Sequence, residues 1–139
     1  MRILIIEDNP DIAANLGDYL EDQGHTVDFA GDGVTGLHLA VVGDFDAIVL
    51  DLYEGPNQAH HASRSREHYS AAALATTHGA LRRRGVLAVW SEEPDAAFER
   101  RLQSAGFSCD RHRPKGSGGR RHGHGVSGNL DGGPGRGHR

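Results

Sequence analysis

The stretches MRILIIED (residues 1–8) and DFDAIVLD (residues 44–51) decide the fold. In each, an apolar run, Ile3-Leu4-Ile5-Ile6 or Ala47-Ile48-Val49-Leu50, ends on an acid. Runs this short and this uniformly apolar suit strands of a parallel sheet covered on both faces. Laid side by side, the two strands bring Glu7, Asp8 and Asp51 to one sheet edge, about 5 Å apart from strand to strand. Three carboxylates so close repel one another unless a cation sits among them. Hard oxygen ligands with room for water suit Mg²⁺, the usual companion of phosphoryl transfer.

The segments around these strands alternate helix and strand signals. Asn9 can cap a helix with Pro10 at its first position and Asp11 in its first turn. Ile12, Leu16, Tyr19 and Leu20 then share one face, and Gly24 ends the helix. Thr26 to Ala30 reads as a second strand with Val27 and Phe29 on one side. Asp32 caps a second helix whose expected buried side carries Val34, Leu37, Leu39 and Val41; Gly43-Asp44 stops it. Further on, residues 65–83 are helix-like, and Gly85 precedes the buried-looking run Val86-Leu87-Ala88-Val89-Trp90. Pro94 starts another helix, ended by Gly106, and Phe107 to His112 reads as a fifth strand. This order predicts an α/β fold: a doubly wound, mostly parallel, five-stranded sheet. Such sheets bind ligands in the crevice at the carboxyl ends of the strands, where Glu7, Asp8, Asp51 and Ser91 fall.

The charge is divided along the chain. Residues 1–56 carry 12 acids against Arg2 alone, whereas residues 113–139 carry five Arg and Lys115 against Asp131. An acidic first half favours cations and disfavours nucleic acid. Ten of the last 27 residues are Gly, with Val126 and Leu130 the only aliphatic ones. That segment cannot bury enough surface to offset its ordering entropy, so one domain over 1–112 and a disordered basic tail over 113–139 are expected. The single Cys109 excludes an internal disulfide and fits a reducing compartment. The run Ile3 to Ile6 is too short for a signal peptide or a membrane span, so a cytoplasmic protein is expected.

Residues 1–52 resemble the receiver domain of two-component response regulators, on Glu7-Asp8 at the end of the first strand and Asp51 at the end of the third. The resemblance implies a flavodoxin-like fold and an Asp51 that accepts a phosphoryl group from a sensor histidine kinase. It also implies that Glu7 and Asp8 help hold Mg²⁺. Such a domain is a phosphoacceptor and switch more than an enzyme. With no membrane or nucleic-acid contact expected, its output would run through protein contact. The family also needs a Ser or Thr ending strand four and a Lys ending strand five. Ser91 is the candidate hydroxyl, although it lies 40 residues beyond Asp51, some ten more than receivers usually allow. Lys115, the only lysine, is the candidate cation, although it follows Pro114 where the family has Lys before Pro. After Leu52 the receiver pattern fails.

Residues 44–108 resemble the later half of a spermidine-synthase-like, class I methyltransferase fold. The match rests on the strand ending in Asp51, the Gly55-Pro56 turn, Tyr69-Ser70, the run Gly85 to Ser91, and Ala105-Gly106-Phe107. That family binds S-adenosylmethionine or its decarboxylated form through a Gly-rich turn after strand one. The turn here, Glu7-Asp8-Asn9-Pro10, has no glycine to admit a ligand to the backbone, so the cofactor half is absent. The chain thus reads as a hybrid joined near residues 52–56. The alternatives to phosphorelay signalling are a methyltransferase-like fragment lacking its cofactor site and an inert hybrid.

Other constellations carry less. His60-His61 and His122-Gly123-His124 lack the Cys/His spacing of structural zinc. Arg82-Arg83-Arg84 reads as a helix end, where cations favour the dipole. Trp90 reads as core.

Overall fold

A computed structural model describes residues 1–51, 70–91, 96–112 and 124–129; Trp90, Ser91, His112 and the last six are described by backbone alone. The elements run β1 (Arg2–Glu7), α1 (Pro10–Asp22), β2 (Thr26–Ala30), α2 (Gly33–Val42), β3 (Phe45–Asp51) and α3 (Ala71–Ala80), then β4 (Leu81–Ser91), α4 (Ala96–Ser104), β5 (Ser108–His112) and β6 (His124–Asn129). They form one sheet in the order β2-β1-β3-β4-β6-β5. The first four strands are parallel, and β6 runs antiparallel to both β4 and β5. The expected α/β class and parallel sheet are therefore present.

Among the described residues the sheet has six strands rather than the expected five, and the sixth lies in the segment expected to be a disordered tail. Low apolar content argued against a packed core there, but a strand between two others is held by its backbone. Flanked on both sides, β6 pairs its N–H and C=O groups with β4 and β5, which would otherwise leave those edges open.

The helices begin and end where local chemistry directs. Asn9 Oδ1 accepts the amide N–H groups of Asp11 and Ile12, with Pro10 at the first helical position. Asp32 Oδ1 accepts Thr35 N–H at the start of α2 at 2.8 Å. Gly24 and Gly106, past the ends of α1 and α4, take φ of +90° and +104°, a region that favours glycine.

The sheet buries both faces unequally. On one, Leu4, Ile6, Ile48, Leu50, Leu87 and Val89 meet Ala40, Leu74, Phe98, Leu102 and Phe107. On the other, Ile3, Ile5 and Val27 pack beneath Leu16 and Leu20 of α1. Two expected helix faces are rotated. In α1 the buried residues are Ala13 and Gly17, while Ile12 and Tyr19 are exposed. In α2 Gly33, Gly36 and Ala40 face inward, and Val34 and Val41 face out. Both helices come close to the sheet through their small residues. A Cβ on Gly36 would stand 2.5 Å from Ile6 Cδ1, so a larger residue would hold α2 away.

The arginine run does not end a helix. Helix α3 stops at Ala80, and the pairing of β3 with β4 jumps from Phe45↔Leu81 to Ala47↔Val86. The extra residues bulge outward, with Arg84 at φ 63°. The bulge delivers Arg82 to Asp44 at 3.0 Å and to Asp46 at 3.2 Å. Asp46 also accepts Arg2 N–H at 2.7 Å, while the Arg2 side chain pairs with Asp28 at 3.0 Å and covers the Phe45 ring. These contacts tie β1, β2, β3 and β4 together at the end opposite Glu7 and Asp51, and so help fix the register that places those two acids.

Candidate functional site

Parallel pairing of β1 with β3 sets Glu7 directly opposite Asp51. Asp8 follows β1 and is exposed, whereas Glu7 is only 5% exposed and Asp51 is half-buried. Glu7 Oε1 accepts Asn9 N–H at 3.0 Å, and the Asp51 and Asp8 side chains are close enough to act on the Glu7 carboxyl. Sequence reasoning gave Asn9 only the role of helix cap. Its backbone N–H also anchors Glu7, a contact that its position two residues downstream could have suggested.

Burial pushes the Glu7 carboxyl up to about 8, opposed by the Asn9 N–H and reinforced by Asp51 and Asp8. A proton held on Glu7 eases the repulsion among the acids that a cation would otherwise relieve. Among the described residues no three acidic, His or Cys side chains are arranged as a ready metal cage. The donor set is nevertheless all oxygen and, once ionised, anionic. It fits a hard divalent cation that keeps several waters.

Ser91 closes β4, the strand next to β3. With Leu50 opposite Val89, Ser91 stands one residue beyond the level of Asp51 at the same sheet edge. Its side chain is outside the described residues, as are Lys115, Pro94, the pair His60-His61 and the Gly55-Pro56 turn. No helix among the described residues is long and apolar enough to cross a membrane.

No family model matches the chain. A stretch of 52 residues, 37% of the chain, is 44% identical to the transcriptional regulatory protein TcrA of Mycobacterium tuberculosis and covers 21% of that protein. Similar stretches are 42% identical to the transcriptional regulatory protein CusR of Escherichia coli and 46% identical to the activator IrlR of Burkholderia pseudomallei, covering 23% of each. The chain thus spans less than a quarter of the curated relatives it matches. Among solved structures, a response regulator from Burkholderia pseudomallei, with a phosphorylated aspartic acid, a calcium ion and citrate, superposes with a TM-score of 0.54 at 22% identity, over 76% of this chain and 55% of its own. A methyltransferase from Pyrococcus furiosus superposes with a TM-score of 0.59 at 14% identity, over 92% of this chain and 74% of its own. The N-methyltransferase NodS of Bradyrhizobium japonicum gives 0.56 at 11%, over 92% and 84%. These likenesses establish the α/β fold. The sequence relatives make a stretch of 52 residues similar to part of these bacterial transcriptional regulators.

Proposed function

We propose that this chain carries a receiver-type module of a phosphorelay, with Asp51 accepting a phosphoryl group from a sensor histidine kinase. The observation that carries the reading is the register of β1 on β3, which puts Glu7 against Asp51 with Asp8 alongside. In this reading Glu7, Asp8 and Asp51 hold Mg²⁺. The ion supplies positive charge to the oxygens of the transferring group. The chain's own part is to fix the acceptor. Asp51 ends a buried strand and so presents its carboxylate at the crevice, while the Asn9 N–H orients Glu7. Ser91, on the adjacent strand, is the proposed hydroxyl donor to the phosphoryl oxygens, and Lys115 the proposed counter-charge. Phosphorylation adds charge at this edge and would alter the protein contacts made nearby.

The test is a titration of Mg²⁺ with beryllofluoride, followed by amide NMR. Signals at Glu7, Asp8 and Asp51 should move, and Asp51→Asn should abolish the response together with labelling by acetyl phosphate. Unmoved signals in the wild-type protein would end the reading.

The 92% coverage by methyltransferase structures favours a second reading, a methyltransferase or spermidine-synthase-like fragment. Against it stands the glycine-free turn after β1. Binding of S-adenosylmethionine would support it. Silence toward both ligands would leave an inert hybrid.

A further inference from the structure

Beside the acids lies a cleft of about 340 Å³, open to solvent, with Glu7, Asp8, Pro10, Ala13, Ala14 and Phe29 among its lining residues. The volume falls at the small end of the range for small-molecule sites. One wall is the start of α1, contributing Pro10, Ala13 and Ala14; the other is the end of β2 with Phe29. Phe29 is 45% exposed, which is costly for an aromatic ring. It stands close against α1 at Gly17, where an added Cβ would come within 2.3 Å of the ring.

The chemistry of the walls narrows the ligand. Two acids and no base line the cleft. Glu7 is withdrawn from solvent, so a purely apolar ligand would leave its carboxyl facing hydrocarbon. A bare inorganic ion, in turn, would make no use of the alanine and phenylalanine walls. The surrounding field adds to the choice, since the first 56 residues hold 12 acids against one base. We propose that this cleft binds a small amphipathic cation: an aromatic or aliphatic group carrying a protonated amine, its apolar part between Ala14 and Phe29 and its ammonium at Glu7 and Asp8. The cleft shares Glu7 and Asp8 with the proposed Mg²⁺ site but does not include Asp51, and its apolar walls lie outside that site.

Phenethylamine is a suitable probe, with its neutral analogue phenethyl alcohol as control, measured by amide NMR titration of the full chain. The amine should bind with a dissociation constant below about 1 mM, at least tenfold tighter than the alcohol, moving signals from Asp8 to Ala14 and at Phe29. Ala14→Trp, which fills the cleft from an exposed helix position, should weaken the amine at least tenfold, and thermal melting would confirm that the variant is folded. Ala14→Leu serves if the larger residue disturbs folding. Asp8→Asn should weaken the amine but not the alcohol. The Ala14 variants should keep the beryllofluoride response to Mg²⁺, so loss of amine binding cannot be mistaken for loss of the phosphoryl site. Absence of amine binding, equal binding of the alcohol, or indifference to a folded Ala14 variant would each overturn the proposal.

Discussion

Glu7 concentrates the chemistry of the molecule in one buried carboxyl. Its native value of about 8, against an ordinary 4.5, is set first by burial and then by its acidic neighbours. An acid raised in this way binds its proton more tightly folded than unfolded. Between those two values the unfolded chain has lost the proton and the native protein keeps it. Stability of the metal-free protein should therefore fall as pH rises from about 4.5 to about 8. Glu7→Gln should remove that slope and raise metal-free stability at pH 8 by about 1–3 kcal/mol. If Mg²⁺ binds the ionised trio, it should raise the melting temperature more at pH 8 than at pH 5.5, and do so in the wild type but not in Glu7→Gln. Melting curves at the two pH values, with and without the ion, decide both points. A second residue-scale test concerns close approach. In Gly36→Ala the new methyl meets Ile6, which is itself 5% exposed and packed in the core, so a loss of about 1–3 kcal/mol is expected. Gly17→Ala should cost less, because Phe29 is 45% exposed and its ring can swing outward. Urea unfolding of the two variants side by side would show whether that ranking holds.

At the scale of elements, what could be read from the sequence was local. Asn9 and Asp32 announce helix starts because a cap needs only a side-chain oxygen and the next few amides. The apolar runs before Glu7 and Asp51 announce central strands, and their pairing sets Glu7 opposite Asp51. Which face of a helix turns inward was much less legible. GVTGLHLAVV is apolar nearly all round, so its pattern names no side, and the glycines that seat it leave no hydrophobic signal. The arginine run misled for a related reason: a basic cluster after an alanine-rich segment looks the same whether it caps a helix or bulges from a strand. The bulge has a measurable consequence. Arg84 holds φ at 63°, a left-handed conformation that costs most side chains about 1 kcal/mol or more. At the same bulge, Arg82→Gly should slightly destabilise the protein by removing the pairs to Asp44 and Asp46. Thermal melts at low and high salt would check this, since the loss at Arg82 is screened and should shrink as salt rises.

For the whole molecule the decisive feature is the one the sequence hid. Composition reports what a segment can bury, and residues 124–129 can bury little; it is silent on backbone pairing, which any residue except proline can make. Yet β6 occupies an interior place in the sheet, between β4 and β5. Val126 lies opposite Val89 on one side and Arg111 on the other. Among the described residues strand β5 pairs with β6 and with no other strand, so its place in the sheet depends on those six residues. The opposite end of the sheet is built differently. Strands β2, β1 and β3 pair in parallel beneath α1 and α2 and hold Leu4 and Ile5 fully buried. A proline at 126 removes a backbone N–H from the middle of an interior strand and clashes with its partners, at a cost of about 3 kcal/mol. In Val126→Pro, amides of Ser108 to His112 should exchange with solvent at least a hundredfold faster, while those of Ile3 to Ile6 and Ile48 to Leu50 keep most of their protection. Uniform loss across the sheet would show that the two ends fold as one cooperative unit. Unchanged exchange in β5 would show that β6 does not hold it. The predicted outcome lies between these: the acidic crevice at Glu7 and Asp51 survives the loss of the far strands, because the register that forms it is set among β1, β2, β3 and β4, away from β5 and β6.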